Sequence, residues 1–345
     1  GSQTDILEPT LEDWKNLYLA AIRFKELKSW QWMDNDDIFA VQDTETGYTG
    51  YCSVMGAAGE LFGLAVYVGD RGLETLIKVL SEDITDEELL DQRSLLLTFE
   101  DREALDKTDY EVIRSLGLRF RGHNQWPLFR SYSPGQFPWY FDKTEVSFMT
   151  KVLDQAVDVC LKVKENPKFL WGETVQDIFT RRSVNGEHSE VDWEDTWLKL
   201  VSVPEVSEIP SLQVNELQLH RIRSYKIAQI SVEFDYLYFP QAIQDRADAR
   251  PYYAYAGLWV DHQNGLILDA EIVTREEHKI RFQEKLLQMI QKYGWKPQTI
   301  LVQKENAYNV LSPVTEKLGI NLLLVPELTA VNQAMEDLFH NIRSF

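Results

Sequence analysis

The sequence predicts a two-domain α/β protein, and three observations carry that expectation. The chain has 345 residues, against roughly 150 for an average domain. Its apolar spacing switches between the two-residue period of strands and the 3.6-residue period of helices. From Ile227 onward the elements follow the order βββαβαβα, which requires a mixed sheet with crossover helices.

The first half reads as α+β. Thr10-Leu11-Glu12-Asp13 is a capping-box start, and Trp14, Leu17, Tyr18, Ala21 and Ile22 recur at helical spacing to about Leu27. Ile38–Val41 is a strand, Asp43–Gly47 a hairpin turn, and Tyr48–Val54 the return strand. Phe62–Val68 is a third strand, and Leu73, Leu76, Ile77 and Leu80 mark the helix after it. Ser81–Asp91 fits a solvated loop or a short polar helix, Leu95–Phe99 a strand, and Tyr110–Leu116 a short helix. Trp126–Trp139 is aromatic, proline-containing and irregular. Asp142-x-x-Glu145 caps a long helix whose stripe of Val146, Met149, Val152, Leu153, Ala156, Val157, Cys160 and Val163 ends at Asn166-Pro167. The expected first domain is therefore residues 1–168, with a poorly legible connection over 169–225 punctuated by Pro204 and Pro210.

The second domain, 226–345, is clearer. Ile227–Phe239, Tyr252–Val260 and Leu266–Val273 are strands, the last two joined by the turn Asp261–Gly265. Thr274-x-x-Glu277 predicts a helix cap and Gly294 the end of that helix. Thr299–Val302 and Ile320–Val325 are short buried strands. Between them lies a helix interrupted at Pro313, where Ser312 can cap a second start, and Thr329–Ile342 is the last helix.

Charge and cysteine usage narrow the function classes. With 35 Lys+Arg against 55 Asp+Glu the net charge is −20. That charge repels phosphate backbones and anionic membranes, so neither nucleic acid nor membrane is an expected partner. No apolar run approaches about 18 residues, and no basic-then-apolar leader opens the chain, where Gly1-Ser2 reads as an expression scar. Cys52 and Cys160 are too few for a disulfide framework and suit a reducing, cytoplasmic setting. Strand and apolar-stripe contexts predict that both are buried, unreactive thiols.

No catalytic constellation is intact. Asp34-Asn35-Asp36-Asp37 lacks the glycine and terminal glutamate of a calcium loop and reads as a solvated strand start. Gly56–Glu60 lacks the lysine and hydroxyl of a phosphate loop and reads as a close-packed turn. The six histidines form no helical pair, so neither a metal nor another cofactor is expected. Arg130, Tyr132, Phe137 and Trp139, in the aromatic stretch, are the candidate binding residues, because aromatics and arginine anchor interfaces.

Two blocks carry a family resemblance. One is Trp30-x-Trp32-Met33-Asp34, Ile38–Val41, Gly50–Gly56 and Gly63–Tyr67. The other is Asp235–Ile243, Arg250-Pro251-Tyr252-Tyr253 and Asp261-x-x-x-Gly265. Together they resemble an uncharacterised two-part family of bacterial proteins, both halves being domains of unknown function. The order βββαβαβα separately resembles the ribonuclease-H-like fold. That resemblance implies two metal ions held by carboxylates on the first strand, just after the fourth strand, and on nearby helices. Asp235 on the first strand and Glu336 or Asp337 on the last helix are the candidate acids here. Glu305 would have to reach back, because Val302 is followed by Gln303 and Lys304 where the fold's enzymes carry a carboxylate. The expectation is a non-catalytic binding or interaction protein, its partner a protein or small molecule. The alternative is a metal-dependent phosphodiester hydrolase.

Overall fold

A computed structural model describes residues 8–185, 191–201, 209 and 216–343. Gly1-Ser2, Pro204 and Pro210 lie outside the described residues. The chain divides into two units, Gly1–Pro204 and Glu205–Phe345.

The first unit begins with helix α1 (Leu11–Leu27), whose cap is reciprocal: Asp13 N–H donates to Thr10 Oγ1 and Thr10 N–H to Asp13 Oδ2. Strands β1 (Phe39–Gln42), β2 (Thr49–Met55) and β3 (Phe62–Val68) follow, then helices α2 (Gly69–Leu80) and α3 (Asp86–Leu89). Strand β4 (Ser94–Glu100), helix α4 (Lys107–Ser115), strand β5 (Trp126–Tyr132) and helix α5 (Lys143–Glu165) come next. Of the two readings of Ser81–Asp91, the short helix is realised as α3, which carries its own capping box at Thr85. The first part of the aromatic stretch is regular: β5 is an edge strand paired along β4, and an edge tolerates Pro127 because its missing donor faces no partner.

Strands β6 (Asp177–Asn185) and β7 (Val191–Lys199) complete a seven-stranded sheet in the order β5-β4-β3-β2-β1-β6-β7. The first unit therefore runs past the boundary near residue 168 that the sequence suggests. Strand β6 pairs parallel to β1, with Phe39 opposite Phe179. The edge is pinned by polar contacts: buried Asp43 accepts from Ser183 Oγ and from Lys151 Nζ on α5. Arg181 reaches both Asp158 on α5 and Asp195 on β7. One sheet face packs Phe39, Cys52, Val54, Leu64 and Leu95 under α1 and α5. The other packs Ala40, Tyr51 and Ile178 under Leu73 and Leu76 of α2.

The second unit opens with helix α6 (Glu216–Arg223) and strand β8 (Lys226–Tyr238), then β9 (Tyr255–Asp261) and β10 (Ile267–Val273). Helix α7 (His278–Tyr293), strand β11 (Trp295–Val302), helix α8 (Glu305–Leu318), strand β12 (Asn321–Leu324) and helix α9 (Thr329–Arg343) follow. The sheet order is β10-β9-β8-β11-β12, with β8–β9–β10 antiparallel and β11 and β12 parallel to β8. Numbered within the unit this is 3-2-1-4-5, the ribonuclease-H-like arrangement expected from the element order. Strand β8 splits its residues by parity. Phe234 stacks on Trp259 at 4.1 Å and meets Phe282 of α7 at 5.3 Å. Gly257 lets that ring approach: a Cβ there would lie 2.4 Å from Phe282. On the opposite face Leu237, Leu258 and Val260 pack against Val331 and Met335 of α9.

Three local expectations are corrected. Strand β12, expected to be buried, is an edge strand of the sheet with Leu323 and Leu324 exposed. Thr274 forms a turn rather than a side-chain cap, its carbonyl accepting from Glu277 N–H, and α7 starts at His278 with no side-chain cap. Helix α8 runs unbroken through Pro313, because buried neighbours Val310, Leu311 and Val314 hold the apolar face on both sides of the proline.

Candidate functional site

The ribonuclease-H-like order places one position of interest where β8 lies beside the end of β11, and Asp235 occupies it. Its neighbour by parity, Glu233, shares the face that meets α9. Both carboxylates are buried, Glu233 at 0% and Asp235 at 2% exposure. An ionised carboxylate so placed must be paired or hydrogen-bonded, since bare burial costs several kcal/mol.

Each is fully engaged. Asp235 Oδ1 accepts from Tyr236 N–H at 2.9 Å and lies 3.5 Å from Lys304 Nζ. Its Oδ2 accepts from Gln303 Nε2 at 3.2 Å, and Gln303 Oε1 in turn accepts from Leu328 N–H at 3.1 Å. Lys304 Nζ also donates to Tyr236 O at 3.1 Å. Glu233 Oε1 accepts from Val331 N–H in the first turn of α9 at 3.0 Å, where the helix dipole favours an anion. Its other oxygen lies 2.6 Å from His262 Nδ1 at the β9–β10 turn. Burial pushes the Asp235 carboxyl above the usual carboxylate range, while Lys304 and the donated hydrogen bonds pull it back in part.

The two-metal centre implied by the fold is tested against these residues and does not fit. A hard divalent ion needs several convergent carboxylate oxygens to replace its waters. Here the position after β11 holds an amide and an ammonium. The ammonium brings to Asp235 the positive charge that a metal would otherwise supply. Glu305, in the first turn of α8, and Glu336, on α9, are both exposed. Asp235, Glu305 and Glu336 do not bring ligand atoms within 4.8 Å of one another. Among the described residues the acids that do are Asp34, Asp36 and Asp37, in the solvated turn before β1.

The aromatic candidates in the first unit divide. Arg130 is committed internally: it forks onto Asp109 at 2.8 and 2.7 Å, reaches Asp106 at 3.2 Å and stacks 4.9 Å over Tyr140. It is thus a structural arginine rather than a free binding group. Trp139 packs against Tyr140 at 5.0 Å while its backbone bridges Ser131, and Tyr132 is half-buried. Phe137 is 42% exposed. Gly56–Glu60 is the β2–β3 turn, closed by Gly59 N–H donating to Gly56 O. Cys52 and Cys160 are free and buried, and burial raises both thiols, Cys160 to about 12.

Residues 14–181 match the family model of a domain of unknown function, DUF7309, and residues 218–339 that of a second, DUF6930. No curated protein matches the chain. Among solved structures, the Mos1 strand transfer complex is similar at 13% identity over 53% of this chain. The match covers 53% of that structure's chain, about half its length, at a TM-score of 0.20, and this likeness carries no argument. The ribonuclease-H-like order rests on the strand pairing alone. The two family matches fall on the two units of the chain, residues 14–181 within the first and residues 218–339 within the second.

Proposed function

We propose that the second unit is a ribonuclease-H-like scaffold without hydrolytic chemistry, and that the chain is a non-catalytic binding or interaction protein of a bacterial cytoplasm. The observation that carries this reading is the Asp235–Lys304 ion pair, reinforced by Gln303. It satisfies the one buried acid at the fold's catalytic position without a metal. The Glu233 and Gln303 contacts to α9 extend the same network into a clamp on that helix's N-terminal turn. Two buried reduced thiols suit a reducing compartment. A net charge of −20 favours a protein or small-molecule partner over nucleic acid or a membrane surface.

The test is hydrolysis of single- and double-stranded oligonucleotides with magnesium or manganese at millimolar concentration. The wild type should show no cleavage above the level of Asp235→Asn. Metal-dependent cleavage that Asp235→Asn removes would overturn the reading and establish the hydrolase.

A further inference from the structure

A tract of the first unit, beyond α4, points to a ligand. None of the chain's acids falls within residues 112–141, although the chain holds 55. That tract contains Arg114, Arg119, Arg121 and Arg130. Arg130 is internally paired, but the other three are exposed. Among the described residues no carboxylate or carbonyl is bonded to their guanidinium groups.

The local backbone gathers them. Helix α4 ends at Ser115, and Gly117 takes φ 68°, a left-handed conformation that a side chain would strain. Leu118 N–H donates back to Ile113 O and Gly117 N–H to Arg114 O, the paired bonds of a Schellman turn. The turn reverses the chain, so Arg119 and Arg121 return beside Arg114 in the last helical turn. The loop is then tied down. Asn124 N–H donates to Asp101 Oδ1 at 2.9 Å, and Lys25 Nζ donates to Gln125 O at 3.2 Å.

They line a half-open surface hollow of about 430 Å³ in which every charged lining residue is an arginine. Tyr110, Phe120 and Trp126 supply its aromatic lining, with Phe120 and Trp126 ring centres 5.6 Å apart. Two more cations sit behind those rings: Arg102 lies 4.4 Å over Tyr110, and Lys25 lies 5.0 Å over Phe120. Five cations around one hollow repel one another, and an anion placed among them relieves that repulsion. Cation–π contacts account for the two behind the rings. Among the described residues nothing pairs with the three on the rim.

We propose that this hollow binds a small organic polyanion with a flat ring, of the nucleoside di- or triphosphate class. Arginine forks match phosphate oxygens two at a time. The aromatic lining offers a ring the stacking contact that inorganic phosphate could not use. The volume falls in the range of about 300–1,000 Å³ usual for small-ligand sites. A long polynucleotide is disfavoured by the acidic remainder of the chain, whose net charge is −20. The site lies wholly in the first unit and does not depend on the role of Lys304.

Isothermal titration calorimetry of the full chain with ATP, GTP and inorganic tripolyphosphate tests it. At least one nucleotide should bind saturably, one per chain, with tripolyphosphate about tenfold weaker or more. The double substitution Arg119→Ala, Arg121→Ala should weaken nucleotide binding about tenfold or more without changing the melting temperature. Arg114→Ala should act in the same direction and serves if the double variant melts early. No saturable heat, equal binding of tripolyphosphate, binding indifferent to both variants, or tighter binding of a single-stranded oligonucleotide than of any nucleotide would each overturn the proposal.

Discussion

At the scale of single residues, the clearest feature is one ammonium placed where a fold's chemistry would put a metal ion. Lys304 is a third exposed, so its pair with Asp235 is worth less than a fully buried one. Replacing it with methionine should cost about 1–3 kcal/mol, because Asp235 then keeps its burial without its counter-charge. Adding Asp235→Asn to that variant should return part of the loss, and chemical denaturation of all four members of the cycle measures the coupling. Strict additivity would show that the two groups do not interact. Half of this network was legible in the sequence, since Gln303 and Lys304 visibly follow the fourth strand. The contact between Glu233 and His262 was not, because it joins residues 29 apart through the β8–β9 pairing. The Arg119-Phe120-Arg121 triplet also carried a signal that residue type alone obscured, namely the acid-free tract around it. The thiols give a second residue-scale prediction. With burial lifting Cys160 to about 12, the thiolate is scarce at pH 8. A disulfide reagent should label both cysteines only as fast as the unit opens, and labelling within seconds in native buffer would contradict their burial.

At the scale of elements, caps and turns carried most of what could be read. Thr10 and Asp142 each form the predicted reciprocal box, and Asp142→Ala should cost about 1 kcal/mol. Strands β6 and β7 resisted reading because their stabilising contacts are polar and distant in sequence. Strand β7 is a partly exposed edge that alternates only toward its end, where the run from Trp197 to Val203 reads as a strand in the sequence. Strand β6 is held by Asp43, 140 residues from Ser183. That buried carboxylate yields a pH prediction. Burial alone would raise Asp43, but Thr46 and Lys151 outweigh it and hold the group below its ordinary value. A depressed carboxyl adds stability that is fully present above its unfolded value, near pH 3.9. That stability is lost as pH falls through the folded value. Asp43→Asn should therefore flatten the fall in melting temperature between about pH 5 and pH 2. An unchanged acid slope would show that Asp43 titrates as it does unfolded.

At the scale of the molecule, the two units have separate sheets, and the division falls where the sequence was least periodic. A fragment ending at residue 201 should fold, whereas one ending at residue 168 should not, because it strips β6 from β1 and bares Phe39 and Ala40, both at 0% exposure. Circular dichroism melts of the two fragments decide this, and a cooperative melt of the shorter one would contradict the assignment of β6 to the first core. The central claim is that an ion pair occupies the position where a hydrolase of this fold would hold metal. A bound ion at a hundred times its dissociation constant would add about 2.7 kcal/mol, which is several degrees for a unit of this size. The most direct measurement is the melting temperature of the second unit's transition in the full chain, with and without millimolar manganese. The account predicts no change in the wild type, and a rise of several degrees that Asp235→Asn abolishes would contradict it.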